Sequence, residues 1–382
     1  MKTKEPARQV VILGGGYAGV NAALRLRLRN QYAKMTLVNE RPEFIERIRN
    51  HQLAAGETLR RLELQHVLGA GILFVQGHAE KIDTAAKRVL LKNDTGISAL
   101  QYDMLVYALG SGVTAAQNEN VFSVSTAGAA RRFKAALAAE PDRGLMIVGA
   151  GLTGIELATE LREAWPGRPI TISDRNALGI HFSQKARRYL IEIFTKLNIR
   201  FVLGQTTATD ALVVDCTGFH FPDLARRAGL PCDARNRVLV DEVLRVRGFT
   251  DIFACGDAAA FGFGSEAIDF AGCQTAMPMG THTGEAIAAL FRGKTPVPFR
   301  FGFPGRCVSL GRRRGLVQFV DKHSGAPTER IITGYFAAWI KELICKMTTA
   351  APRWERKTRW PIYTWLKTCP VKRGGTRASK AA

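Results

Sequence analysis

Short, unbroken apolar runs punctuate this 382-residue chain. Each is too short for a buried helix and reads as a strand covered on both faces in a parallel sheet. Two of them, VVIL at 10–13 and LMIV at 145–148, lead into a glycine-rich turn and then an amphipathic helical stretch. The whole segments are QVVILGGGYAGVNAALRLRL and GLMIVGAGLTGIELATELRE, the same device spelled twice. YDMLVYALGS, ITISD, IRFVLG, ALVVDCTG and DIFACGDAA supply further strands. Residues 72–101 read as strands separated by turns, NDTG among them, and SLGRRRGLVQFV as a hairpin around Gly311 to Gly315. A helix is expected near 126–139. Phe336, Trp339, Ile340, Leu343, Ile344 and Met347 recur at helical spacing, which predicts a helix packed on the core.

The two turns carry chemistry. Gly14, Gly16 and Gly19 follow the first strand, and Gly149, Gly151 and Gly154 the second. In this spacing the first glycine permits a tight turn, the second lets a pyrophosphate approach the backbone, and the third lets the helix pack on the strand. Gly15, Tyr17 and Ala18 complete the first turn. The helix N-terminus beyond it holds phosphate through free N–H groups and its dipole. The motif also requires an acidic residue about twenty positions on, at the end of the next strand, for a ribose diol. KMTLVNE ends there at Asn39 and Glu40, and PITISD at Asp174. A carboxylate at that place repels a 2′-phosphate, so Asp174 favours NADH over NADPH, with Arg175 beside it blunting the preference. Two units imply two ligands, a nicotinamide that carries hydride and a flavin that accepts it.

Charge changes the picture at one end. The formal net charge is +21. The last 42 residues hold eleven Lys or Arg against Glu342 and Glu355, a net +9. Trp354, Trp360, Tyr363 and Trp365 alternate there with bases, over residues 353–373, a pattern suited to an anionic membrane surface. The same rings suit packing on the protein's own surface or a homodimer contact. No nucleic-acid recognition motif accompanies the charge. All seven cysteines lie at or after Cys216, without a C-x-x-C pair, which favours reduced thiols in a cytoplasmic setting. The N-terminal apolar run opens straight into the first glycine turn and reads as a strand, not a signal peptide.

Over residues 8–345 the chain resembles the two-dinucleotide-domain flavoproteins of the pyridine nucleotide-disulfide oxidoreductase superfamily. It is most similar to type II NADH dehydrogenase-like and apoptosis-inducing-factor-like members. The residues that carry the likeness are the two glycine turns, VYALGS and VVDCTG in place of the family's A-T-G segments, and DIFACGDAA for its flavin-binding G-D. The resemblance implies an α/β fold with two Rossmann-like domains. An FAD domain (1–112 and 251–298) is interrupted by an NAD(P)H domain (113–250) and followed by a C-terminal α+β region (299–382). It implies FAD as cofactor, NAD(P)H as donor with NADH favoured, and a peripheral position on the inner face of a membrane. Asp257, after Gly256, is expected at the ribityl chain, Ala79 at the adenine, and Ala108, Gly110 and Gly218 along the A-T-G-like segments. Arg49 is expected at the FAD phosphates or ring, unless Arg47, Arg49 and His51 form a solvated basic face. Glu156 is expected beside the nicotinamide, with Glu160 one turn later.

Three departures narrow the reading. Disulfide reductases carry a cysteine pair where this chain reads NERPEFIERIRNHQLAAG, so a disulfide relay there is excluded. Quinone-reducing members often have two glutamines facing the flavin; here CQTAMPMGTHTGEAIAALFRG keeps Gln274 and brings Pro278, Gly280 and His282. His282 is the candidate proton or hydrogen-bond donor at that helix, against a purely structural histidine. Only QTTATD separates IRFVLG from ALVVDCTG, which shortens the nicotinamide domain. The expected activity is an FAD-dependent NAD(P)H oxidoreductase that passes two electrons to a quinone or another small acceptor. A flavin reductase of a soluble aromatic substrate and a flavin-bearing, NADH-sensing interaction protein stand as alternatives.

Overall fold

The computed structural model describes residues 7–94, 96–112, 121–204, 210–261, 272–321 and 325–367. β1 (Gln9–Leu13) passes through the first glycine turn into α1 (Tyr17–Arg29) and β2 (Lys34–Asn39). Two short helices, α2 (Asn50–Ala54) and α3 (Leu64–Leu68), precede β3 (Ile72–Gln76). An antiparallel excursion of β4 (His78–Asp83), β5 (Arg88–Asn93) and β6 (Gly96–Gln101) leads back to β7 (Met104–Tyr107). The second unit runs β8 (Val121–Ser123), α4 (Ala127–Ala139), β9 (Gly144–Val148), α5 (Leu152–Ala164), β10 (Ile170–Asp174), α6 (Gln184–Lys196), β11 (Ile199–Leu203), β12 (Ala211–Asp215). Then come α7 (Leu224–Arg227), β13 (Val238–Leu239), β14 (Ile252–Ala254), β15 (Ala259–Ala260) and α8 (Cys273–Phe291). The antiparallel strands β16 (Gly305–Ser309), β17 (Gly315–Val320) and β18 (Pro327–Thr333) precede α9 (Gly334–Thr358).

Two five-stranded parallel sheets result, in the orders β14-β7-β1-β2-β3 and β11-β10-β9-β12-β8. In each, the strand that feeds the glycine turn is central. Its residues are buried from both sides, which is why VVIL and LMIV carry no polar alternation. The third glycine of each turn is forced by packing: a Cβ on Gly19 would lie 1.9 Å from the Gly14 carbonyl oxygen, and one on Gly154 1.9 Å from that of Gly149.

Each sheet has its own hydrophobic cluster. Leu224, Leu230, Val238, Leu244 and Val246 belong to the first. The chain therefore rejoins the first unit soon after β12, about thirty residues before the boundary at 250 expected from sequence. The apolar residues after Gly218 are too scattered to signal which core they enter. An isolated bridge marks the junction: Gly112 N–H donates to the His220 carbonyl at 2.7 Å, and His220 N–H to that of Gly112 at 3.0 Å. Between α1 and α8 the backbones nearly touch, since a Cβ on Gly280 would meet the Ala18 carbonyl oxygen at 2.1 Å.

The α9 helix departs from expectation. Its buried face is made of small residues, Ala337, Ala338, Cys345, Thr348 and Ala351. The large residues point outward: Phe336 is 59%, Trp339 52%, Leu343 44% and Met347 42% exposed. Helical periodicity finds an apolar stripe but not its direction. The small face wins the inward position because β17 approaches so closely that a Cβ on Gly315 would sit 2.7 Å from the Ala338 nitrogen.

The segment after α9 folds back onto the first unit. Arg25 of α1 donates to the Tyr363 carbonyl at 2.9 Å, and Trp365 Nε1 to that of Arg300 at 2.7 Å. Tyr363 and Trp365 thus pack on the protein itself, while Trp354 and Trp360 remain exposed. Lys372 and Arg373 lie outside the described residues.

Candidate active site

Both glycine turns open into one cavity of about 1330 Å³. A site for one small ligand seldom exceeds roughly 1,000 Å³, so this space has room for more than one. Gly14, Gly15, Gly16, Tyr17, Ala18, Asn39, Glu40, Ala79, Ala108, Gly110, Gly256 and Asp257 line it from the first unit. Gly151, Glu156, Asp174 and Gly218 line it from the second. Gly19, Gly149 and Gly154 stand behind the wall and shape it.

The turns share one local design. Gly14 and Gly149 take the left-handed backbone that glycine favours, with φ of 106° and 101°. Gly15 N–H donates to Asn39 Oδ1 at 2.9 Å, and Ala150 N–H to Asp174 Oδ2 at 2.8 Å. The residue ending the second strand thus also ties down the turn. Among the described residues a Cβ on Gly16 or Gly151 would meet nothing within 4 Å, so open space lies where a pyrophosphate must approach. The cradle fits two dinucleotides.

On the first unit's side, both Asp257 oxygens are held: Ser111 Oγ donates to one at 3.0 Å and Gly272 N–H to the other at 2.9 Å. Arg47 donates to the Ser111 carbonyl at 2.6 Å and Oγ at 2.9 Å, with its guanidinium 5.3 Å from the Phe219 ring centre. Burial lowers the Arg47 pKa. Gly272, Cys273, Gln274 and Thr275, the start of the long α8 helix, face the cavity, where the dipole favours negative charge on a bound ring.

Glu156 sits on the opposite wall. Lys341 Nζ lies 2.9 Å from its Oε1, and Ser309 N–H donates to the same oxygen at 3.0 Å. Burial pushes the Glu156 pKa up, but Lys341, His51 and the Ser309 N–H together bring it below the ordinary value. Burial disfavours the Lys341 charge, yet Glu156 and the nearby cysteines raise its pKa well above normal. A charged pair therefore stands at the cavity wall. Nothing in the sequence singles out Lys341, which is one base among many in a basic tail. The only available signal was its place on the polar side of the α9 stripe.

Two expected residues fall elsewhere. Arg49 turns away from the cavity to Glu342, with Nη2 2.7 Å from its carboxylate, and to Glu46 at 3.3 Å. The carboxylates of Glu342 on α9 and Glu46 before α2 claim it, and Arg47 takes the cavity position. His282 lies within the α1–α8 layer, its ring centre 5.2 Å from that of Phe299, and burial lowers its pKa to about 4. The tight α1–α8 contact directs it into the core rather than toward the cavity.

The family model of the pyridine nucleotide-disulphide oxidoreductases matches residues 8–283, and the chain belongs to that family. It is an oxidoreductase, and membership implies FAD as cofactor with NADH as donor. An NADH dehydrogenase-like protein of Mycobacterium tuberculosis is 31% identical, covering 72% of this chain and 79% of that one. A type II NADH:quinone oxidoreductase of Staphylococcus haemolyticus is 26% identical over 88% of this chain and 94% of its own. A demethylphylloquinone reductase of Synechocystis is 26% identical over 95% and 98%. Among solved structures, the sulfide:quinone oxidoreductase of Aquifex aeolicus has a TM-score of 0.76 at 22% identity, covering 94% of this chain and 93% of that one. NDH2 from Plasmodium falciparum in complex with NADH has a TM-score of 0.74 at 15% identity, covering 93% and 100%. At these identities the structures attest the fold.

Proposed function

We propose that the protein is an NADH:quinone oxidoreductase that binds FAD along the Gly14 turn and NADH along the Gly151 turn. The observation that carries this reading is the single cavity shared by both turns, with the Glu156–Lys341 pair on its wall. The overall reaction is NADH + H⁺ + quinone → NAD⁺ + quinol. FAD, when bound, supplies a two-electron acceptor for hydride and passes the electrons on. Asp257, fixed by Ser111 and Gly272, anchors the ribityl chain. Arg47 and the α8 N-terminus face the flavin side of the cavity. Asp174 takes the NADH ribose. Glu156, kept charged by Lys341, holds the carboxamide and orients the nicotinamide. No cysteine precedes residue 216, so no disulfide relay stands in the segment after β2.

A second reading concerns location. The exposed stripe of Phe336, Trp339, Leu343, Met347 and Trp354, with Lys346, Arg356 and Lys357 beside it, suits an anionic membrane surface where quinones reside. Among the described residues no helix is long and apolar enough to cross a membrane.

Anaerobic NADH oxidation against a panel of quinones and soluble aromatic electrophiles tests the activity. Turnover with quinones is expected. Turnover confined to the aromatic electrophiles would replace the acceptor, and no turnover with any acceptor would leave an NADH-sensing protein.

A further inference from the structure

We propose that His51 and Glu160 form a proton relay joining Glu156, on the cavity wall, to solvent at the β16–β17 hairpin. The need for one rests on the quinone reading. Hydride brings two electrons and one hydrogen, and the second hydrogen of the quinol must come from bulk water into a cavity filled by ligands.

The geometry supplies a line of groups. His51 Nδ1 lies 3.6 Å from Glu156 Oε2, and His51 Nε2 3.9 Å from Glu160 Oε1. Glu160 Oε1 is 3.4 Å from Arg312 Nε, whose side chain is 36% exposed on the hairpin. The two central side chains are nearly sealed, at 3% and 2% exposure. Among the described residues His51 Nε2 has no hydrogen-bond partner, and Glu160 Oε1 has only the charged contact to Arg312. A buried ring nitrogen left unpartnered opposite a carboxylate oxygen carries a cost and asks for a reason. Each gap is within about 1 Å of hydrogen-bond length, so a small side-chain movement closes it. Glu156 and Glu160 stand four residues apart on one face of α5, with α2 placing His51 between them.

The charge states suit transfer. Around His51 stand Glu156 and Glu160 from α5, Lys341 from α9, Arg312 from the hairpin and Arg49 before α2. Burial outweighs Glu156 and brings the His51 pKa to about 4, leaving a neutral ring with one N–H and one lone pair. Around Glu160 stand Arg312, Glu163, Glu156, Glu57 and His51; burial raises its pKa to about 7, so it holds a proton near neutrality. The proton leaves Glu160 for His51 Nε2 as Nδ1–H gives its own to Glu156. Once NAD⁺ has left and freed its carboxylate, Glu156 takes the proton only in passing and hands it to the quinone oxygen, where an O–H bond forms, and Glu160 is refilled from water beside Arg312.

The test uses the FAD-bound enzyme and two readouts. In stopped flow, His51→Gln and Glu160→Gln are expected to slow reoxidation by quinone by about a hundredfold, the low end for a positioned proton transfer. Bleaching by NADH, which takes hydride and no solvent proton, is expected to stay near the wild-type rate, and Glu160→Asp to restore part of the loss. Equal slowing of both halves, or of neither, overturns the relay. Failure of NADH to bleach the wild-type protein defeats the function reading instead. The second readout needs neither turnover nor a variant: infrared titration of protein labelled with ¹³C-glutamate. A carboxyl that titrates near pH 7 supports the relay, and the absence of any above pH 6 overturns it.

Discussion

Arg25 of α1 and Glu355 of α9 form a buried ion pair, with Arg25 Nε 3.2 Å from Glu355 Oε2 and both side chains almost without exposure. Glu285 of α8 shares the same guanidinium. Three helices distant in sequence are joined at one point. Removing one partner of such a pair leaves a buried charge, at a cost of about 3–5 kcal/mol. Glu355→Ala is expected to lower unfolding stability by that amount in urea titration. A chain ending near residue 350 loses the same carboxylate and is expected to release FAD, so truncation does not isolate a membrane role.

Substitutions at Gly16 and Gly151 are expected to separate the two ligands. Each has an extended backbone that alanine adopts freely, with φ of −82° and −69°, and empty space in front. Gly16→Ala is expected to fold normally and lose flavin absorbance after gel filtration. Gly151→Ala is expected to keep the flavin and raise KM for NADH about tenfold or more, as backbone approach to the pyrophosphate is blocked. Flavin loss in both variants would contradict the assignment of one turn to each dinucleotide.

NADH is expected to bleach the flavin faster than NADPH. Asp174 lines the cavity at the end of β10, where its charge repels a 2′-phosphate. Asp174→Ser should narrow the difference, read as the ratio of stopped-flow rates. Unchanged discrimination would move the ribose site elsewhere.

Stability should fall as the solution is acidified from about pH 6.5 toward 4. His51 and His282 both have pKa values near 4 in the fold, below the free value of about 6.5. The unfolded chain therefore binds more protons across that window, and stability rises with pH through it. Glu160, raised to about 7, acts in the opposite sense between about pH 4.5 and 7. His282→Phe removes one histidine from the balance without touching the cavity. Its urea midpoint is expected to depend less on pH than that of the wild type.

The outward stripe of α9 gives the membrane reading a test that spares the fold. Phe336 and Trp339 stack in parallel, with ring centres 5.8 Å apart, and both are largely exposed. Replacing both with serine removes two rings worth about 1.5 kcal/mol or more each on burial. Binding to anionic vesicles should weaken by on the order of a hundredfold while flavin content is unchanged. Equal cosedimentation of both forms would remove lipid as the occupant of this face.

The glycine turns, the parallel strands and Asp174 were legible in sequence because each depends on local chemistry: φ, strand burial, one charge at a strand end. Lys341, His51 and the β16–β17 hairpin residue Arg312 were not. Their meeting depends on α9 crossing back to a helix that lies almost three hundred residues earlier, and no local pattern encodes that. Arg47 and Arg49 show the limit most sharply. Both bases lie in one short run, and the distant partners Glu342 for Arg49 and Ser111 for Arg47 separate the one turned away from the one at the cavity.

The paired hydrogen bonds between Gly112 and His220 bring the entry and exit of the second unit side by side. A module whose two ends meet is a cassette. Any nucleotide-binding unit with similarly adjacent ends fits the same slot without lengthening the flavin half. A change of electron donor is therefore open to this scaffold by exchange of one contiguous block, with the first glycine turn and its sheet left in place and the contacts to the β16–β17 hairpin and α9 remade.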